Sequence, residues 1–229
     1  MKNCNGSKGR NTSRILPTAC ATALAAAFAV ALPQPAYADD VTAPPVPANI
    51  KVPAGNEAFL VGHAVGTQNY VCLPSATGVA FTLFTPEATL LSDDGKQITT
   101  HFFSPNPFEQ NTNPAVSAAG TIRATWQHSR DTSTVWGQVK PGNSSSDTAF
   151  VAPNAIAWLL VTVVGADNGP TGGDTLAQTT FIQRLNTSGG VAPSTGCGSS
   201  ADVGHLAFVP YTADYFFYRA AGDHAEHGN

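Results

Sequence analysis

The sequence predicts a single all-β domain, an antiparallel β-sandwich or barrel closed by one disulfide. Short runs of β-branched and aromatic residues are separated at close intervals by Gly, Pro, Asn and Asp. No stretch sustains the apolar period of a long amphipathic helix. Two cysteines, Cys72 and Cys197, remain once an N-terminal leader is set aside.

The leader comes first. Lys2, Lys8, Arg10 and Arg14 precede an apolar run from Ala19 to Leu32, and Ala36-Tyr37-Ala38 offers small residues at both cleavage-determining positions. Residues 1–38 therefore read as a signal peptide cleaved near Ala38, and the mature chain is expected to be secreted or periplasmic. The apolar run is shorter than the roughly 20 residues that span a bilayer, so no membrane span is expected. Cys20 stands before that run, where a lipid-attachment cysteine would follow it.

The leader carries four of the 11 basic residues and none of the 15 acidic ones, so seven stand against fifteen in the mature chain, a net charge of −8. Such a surface repels phosphate backbones and anionic lipid, which argues against a nucleic-acid partner. The leader also takes Cys4 and Cys20 with it. Two cysteines in an oxidising compartment have one intramolecular pairing, Cys72 with Cys197, and no CxxC spacing points instead to redox or metal chemistry. On the chain-entropy account a loop of that length is worth roughly 4 to 5 kcal/mol.

Residues 39–55 contain Pro44, Pro45, Pro47 and Pro53 and read as an N-terminal arm outside the core. The β domain then spans 56–219. Phe59–Val65 and Asn69–Leu73 read as a hairpin about a turn at Gly66-Thr67-Gln68. Val79–Thr85, Ala88–Leu91 and Gln97–Phe103 follow as short strands of a meander, with Asp93-Asp94-Gly95 as turn chemistry. Ser104–Ala119 is proline- and asparagine-rich and reads as a long surface loop.

In Gly120–His128, Ile122, Ala124, Trp126 and His128 alternate with polar residues, the clearest half-buried strand. Asp131-Thr132-Ser133 turns into a strand from Thr134 to Val139, and Pro141–Asp147 reads as a loop. Ala155–Val164 is apolar without alternation, as in a strand covered on both faces. Asp167–Asp174 is a glycine-rich loop, Thr179–Leu185 a strand, and Val209–Tyr218 an aromatic closing strand. Residues 220–229 read as a flexible tail.

Certain residues, taken in order, carry a family resemblance: Tyr70-Val71-Cys72, Pro86-Glu87-Ala88-Thr89-Leu90, Asp94-Gly95 with His101, Trp126, Gly137, Ala157-Trp158-Leu159-Leu160, Gln183 to Pro193, Cys197, and Pro210 to Tyr218. From about Val52 to Tyr218 the chain resembles a family of exported bacterial and fungal proteins known as the domain of unknown function numbered 3455. Phe81 and Phe102 stand where members often carry tryptophan and tyrosine. The resemblance implies export, one domain and the cysteine pairing. It brings no activity and no cofactor, and no cofactor is expected.

No GxSxG elbow, HExxH, phosphate loop or GxGxxG is present. The most suggestive polar set is Glu87, His101, Trp126, His128 and Asp131. A carboxylate and an imidazole can do acid–base work, and a tryptophan can stack on a sugar; the same residues also serve as turn, edge and core positions. Taking Ile98, Thr100 and Phe102 as the apolar face, His101 should leave it for solvent or a cleft. No metal site is expected from His63, His101 and His128. Arg184 and Asp214, each within an apolar strand, are expected to form a structural pair across the last two strands.

The leading reading is a non-catalytic binding or envelope/extracellular interaction module, whose Ser, Thr and Asn loop side chains suit a glycan or other extracellular or envelope component. The alternative is a secreted hydrolase-type enzyme using His101 with Glu87 or Asp131.

Overall fold

The computed structural model describes residues 41–110 and 120–222. The expected signal peptide, residues 111–119 of the long loop and the tail from 223 lie outside them. Eight strands follow one another: β1 (Asn56–Ser75), β2 (Gly78–Leu91), β3 (Gln97–Asn106), β4 (Thr121–His128), β5 (Thr134–Ser145), β6 (Trp158–Asp167), β7 (Thr179–Gly189) and β8 (Leu206–Ala220). Each pairs antiparallel with the next, and β8 returns to β1 over fifteen register pairs, so the sheet is a closed up-and-down barrel. Closure removes both sheet edges and selects barrel over sandwich.

The strands are longer than the sequence suggested. Gly66 is no turn: β1 runs straight through it, and Gly66 faces Ala88 where β2 crosses so closely that a Cβ would lie 2.0 Å from the Glu87 carbonyl oxygen. The glycine serves a close backbone approach. Val79–Thr85 and Ala88–Leu91 are likewise one strand, passing through Pro86 beside a register shift at Asn69/Tyr70. β3 continues to Asn106 through Pro105, and β5 crosses Pro141 to Ser145 through an irregularity between Val139 and Ser144.

Inward and outward positions alternate along the strands between their bulges, as the pleat requires. Gly62, Ala64, Gly66, Gln68 and Tyr70 of β1 face the lumen with Tyr211, Ala213, Tyr215 and Phe217 of β8. Up-and-down order gathers the β2–β3, β4–β5 and β6–β7 turns at one end and the β1–β2, β3–β4, β5–β6 and β7–β8 connections at the other. The first end is filled: Leu90, Val135, Leu176, Ile182 and Phe217 are fully buried in one core cluster. The second end stays hollow and holds the cavity described below.

The proline-rich arm belongs to the core, contrary to its composition. Apolar residues recur between the prolines, and Val41, Ala43, Val46, Ile50 and Val52 pack on the outer face of β6–β8 against Trp158, Leu160, Leu185, Phe216 and Tyr218. Ile50, in a 3₁₀ turn over Ala48–Ile50, is completely buried. The arm's backbone is tied down as well: Gln183 Nε2 donates to the Ile50 carbonyl at 2.7 Å, and Tyr218 O–H to Gln183 Oε1 at 2.5 Å. Burial pushes the Tyr218 hydroxyl up to about 12.

The expected disulfide is present, with Cys72 and Cys197 Cα atoms 5.5 Å apart. It fastens the β7–β8 connection to the end of β1. Cys72 N–H donates to the His205 carbonyl at 2.8 Å and its carbonyl accepts from Gly204 N–H at 2.9 Å, so the end of the connection that follows Cys197 also runs against β1 at the bridged residue.

Candidate binding site in the barrel lumen

The hollow end encloses a cavity of about 560 Å³, within the roughly 300–1,000 Å³ range usual for small-ligand pockets. Leu83, Pro86, Phe103, Val139, Leu159 and Val161 form its apolar walls, and Ala155–Ala157 with Val191 and Ala192 line its mouth. Gly190, at φ 80°, brings the last of these segments down onto the rim. A Cβ there would lie 2.9 Å from Tyr211 Cβ and 3.1 Å from Gln68 Cγ, and its carbonyl accepts from Tyr70 O–H at 2.6 Å.

Polar side chains from five strands meet at mid-depth. His101 of β3 stacks face to face on Trp126 of β4, ring centroids 4.2 Å apart and planes 9° from parallel, with Tyr215 of β8 tilted against it at 5.2 Å. His101 Nδ1 lies 2.9 Å from the Thr125 carbonyl oxygen. Since that partner can only accept, Nδ1 carries the hydrogen and Nε2 presents a lone pair. Burial lowers the His101 pKa to about 3, against the Thr125 bond and with help from the Arg184 charge. So weak a base takes a proton reluctantly at neutral pH, while it still accepts a hydrogen bond.

Arg184 of β7 reaches the same level. Its Nε and Nη2 both donate to the Ala157 carbonyl, at 3.2 and 2.8 Å, which anchors the guanidinium by one edge. Gln68 of β1 lines the cavity at 2 % exposure, and its Nε2 makes no hydrogen bond among the described residues. The Tyr211 hydroxyl stands near it without hydrogen-bonding geometry. Trp126 Nε1, also buried, is likewise unpartnered. Burial raises the hydroxyls of Tyr211 and Tyr215, whose oxygens lie 3.3 Å apart.

The five residues singled out from sequence do not form one site. His101 and Trp126 come together in the lumen, with His101 on the inner face and not on the solvent side. Adjacent Phe102 and Phe103 supply an apolar residue to either face, so the apolar residues of β3 do not by themselves mark its inner side. Glu87 pairs with Thr67 on the outer face and is exposed. His128 and Asp131 sit at the filled end, joined Nδ1 to Oδ1 at 2.8 Å.

Asp131 is a turn organiser: Oδ1 accepts from Ser133 N–H and O–H, and Oδ2 from Thr175 N–H and O–H. Burial would raise its pKa, but the Thr175 and Ser133 donors outweigh that and hold the carboxyl well below the usual range. Neither carboxylate hydrogen-bonds His101, so the pairings required by the hydrolase reading are not formed.

Arg184 and Asp214 do not pair either. In the β7–β8 register Arg184 faces Tyr215 and Asp214 faces Leu185. The two charged residues are thus one step apart in parity and point to opposite sides of the barrel wall. Asp214 instead accepts from Asn186 Nδ2 at 2.7 Å and holds His63 Nδ1 at 2.7 Å, while His63 Nε2 meets Asp93 Oδ1 at 2.8 Å. No group of His, Cys, Asp and Glu able to hold a metal is found among the described residues.

Sequence reasoning missed Gln68, placed in a turn, and Arg184 as a lumen residue. Spacing puts Arg184 on the same face as Ile182, but only the register to the neighbouring strands shows that face to be the inner one.

Fold and lumen together define a closed antiparallel β-barrel with one hollow, mostly apolar end. The chain belongs to the family described as "Protein of unknown function (DUF3455)", which it matches over residues 53–219. No curated protein and no solved structure matches it. No helix among the described residues is long and apolar enough to cross a membrane.

Proposed function

We propose that this is an exported, non-catalytic binding protein that holds a small, largely apolar molecule in the barrel lumen. The observation that carries this reading is the cavity itself: about 560 Å³ of space walled by apolar side chains, with unpaired buried donors on Gln68 and Trp126 at its polar level. Buried donors are ordinarily satisfied, and leaving one unmade costs about 1–3 kcal/mol. A bound molecule supplying acceptors removes that cost. The apolar walls favour such a ligand over a glycan, whose hydroxyls would find few partners along them.

The test is titration of the oxidised protein with the neutral apolar fluorophore N-phenyl-1-naphthylamine, followed by probe emission and by quenching of tryptophan emission. One probe per chain should bind, and Ala124→Phe, which fills the wall beside Trp126, should abolish binding while the fold persists by circular dichroism. Absence of binding, or affinity unchanged in A124F, would overturn the reading.

A further inference from the structure

We propose that the lumen ligand carries a single carboxylate, seated on Arg184 at the level of His101 and Tyr215, with its apolar body directed to the mouth past Leu83, Phe103 and Val139. This rests on the lumen-binding reading and specifies its ligand.

The argument is one of charge and of donor count. Arg184 forms no ion pair among the described residues, whose ion pairs all lie elsewhere. Its charge is felt by His101, Tyr70 and Tyr215, and no carboxylate acts on any of the three. A cation inside an apolar barrel without a counter-ion is costly, and an incoming anion relieves it. Two of its five N–H groups hold Ala157 and the guanidinium also reaches the Tyr215 hydroxyl, which leaves further N–H groups able to donate to an incoming acceptor.

Gln68 Nε2 adds a second unpaired donor at 2 % exposure. An acceptor-only group matches this surplus of donors, and a carboxylate is acceptor-only when ionised. Arg184 is the one charged residue lining the cavity among the described residues, which suits one negative charge and not the two of a phosphate monoester. The planar guanidinium fork also fits a planar carboxylate. At the same level, the His101 Nε2 lone pair can accept from a hydroxyl next to the carboxylate.

The experiment compares decanoate, decan-1-ol and decyltrimethylammonium by displacement of the same neutral probe, on the oxidised protein and on Arg184→Gln and Arg184→Lys. Charge-assisted hydrogen bonds of about 1.5–3 kcal/mol predict that decanoate binds roughly 10- to 100-fold tighter than decanol, with the ammonium weakest. R184Q should remove the preference and leave decanol within a few-fold. R184K, which keeps the charge without the fork, should retain part of it, and it serves as the second variant if R184Q does not fold. Equal affinity for decanoate and decanol, a preference that survives R184Q, or failure of decanoate to displace a bound probe would overturn the carboxylate assignment while leaving lumen binding intact; failure of the probe to bind would remove both.

Discussion

The His101 imidazole lies flat on the Trp126 indole, centroids 4.2 Å apart, with its Nδ1–H given to the Thr125 carbonyl at 2.9 Å. The ring is neutral in the fold, its pKa lowered to about 3 first by burial, whereas the unfolded chain titrates near 6.5. Between those values the unfolded state binds a proton that the native state refuses. Stability is therefore fully present above about 6.5 and falls as pH drops toward 3, with a slope of up to about 1.4 kcal/mol per pH unit from this residue. His101→Phe should flatten the dependence in urea unfolding at pH 7, 5.5 and 4. An unaltered slope in the variant would count against the neutral buried ring.

His63 has the opposite sign. Its pKa is raised, chiefly by the hydrogen bond to Asp214, against a smaller desolvation effect and with help from Asp93. With a carboxylate at each nitrogen, the doubly protonated ring donates to both. Its contribution is fully present below the ordinary 6.5 and is lost as pH rises through the raised value. NMR titration of the His63 ring should give a midpoint above 6.5, lowered more by Asp214→Asn than by Asp93→Asn. A midpoint insensitive to both substitutions would show that the two contacts do not persist in solution.

Ile50 should behave as a core residue despite its place in a proline-rich arm. Ile50→Ala is expected to cost about 2–5 kcal/mol in chemical denaturation, the range for truncating a fully buried aliphatic side chain. A loss under 1 kcal/mol would show the arm to be dispensable. Removing the arm altogether should expose Trp158 and Phe216 and raise binding of hydrophobic dyes to the outer wall.

Reduction, or Cys197→Ser, should lower stability by up to roughly 4–5 kcal/mol, the loop-closure value for a separation of 125 residues. Guanidinium midpoints of the oxidised and reduced chains measure it directly. The barrel should survive reduction, because β8 and β1 remain paired from Ala220 to Leu206.

Much of the fold was legible in the sequence. Alternation at Ile122, Ala124 and Trp126 located β4, and cysteine counting located the bridge. What misled was punctuation. Gly66, Pro86, Pro105 and Pro141 read as breaks, yet each lies within a strand, at a close crossing or where the ladder is irregular or needs no donor. The site was harder to see because inner and outer faces both carry apolar residues: Leu185 and Phe216 look like lumen residues until the arm is seen to cover them. With two covered faces, parity within a single strand cannot say which side is in. Only the register to its neighbours places Arg184 and His101 inside and Asp214 outside.

The position of the disulfide bears on time as well as on stability. Among the described residues the lumen is stoppered at its base by Leu90, Leu176 and Phe217, and Val191 and Ala192, in the segment that also carries Cys197, frame its mouth. A guest on Arg184 would make the same contacts whether that frame is latched or not, so opening the latch should leave residence more affected than affinity. The oxidised and reduced proteins are then expected to hold the same cargo with similar strength and surrender it at different speeds.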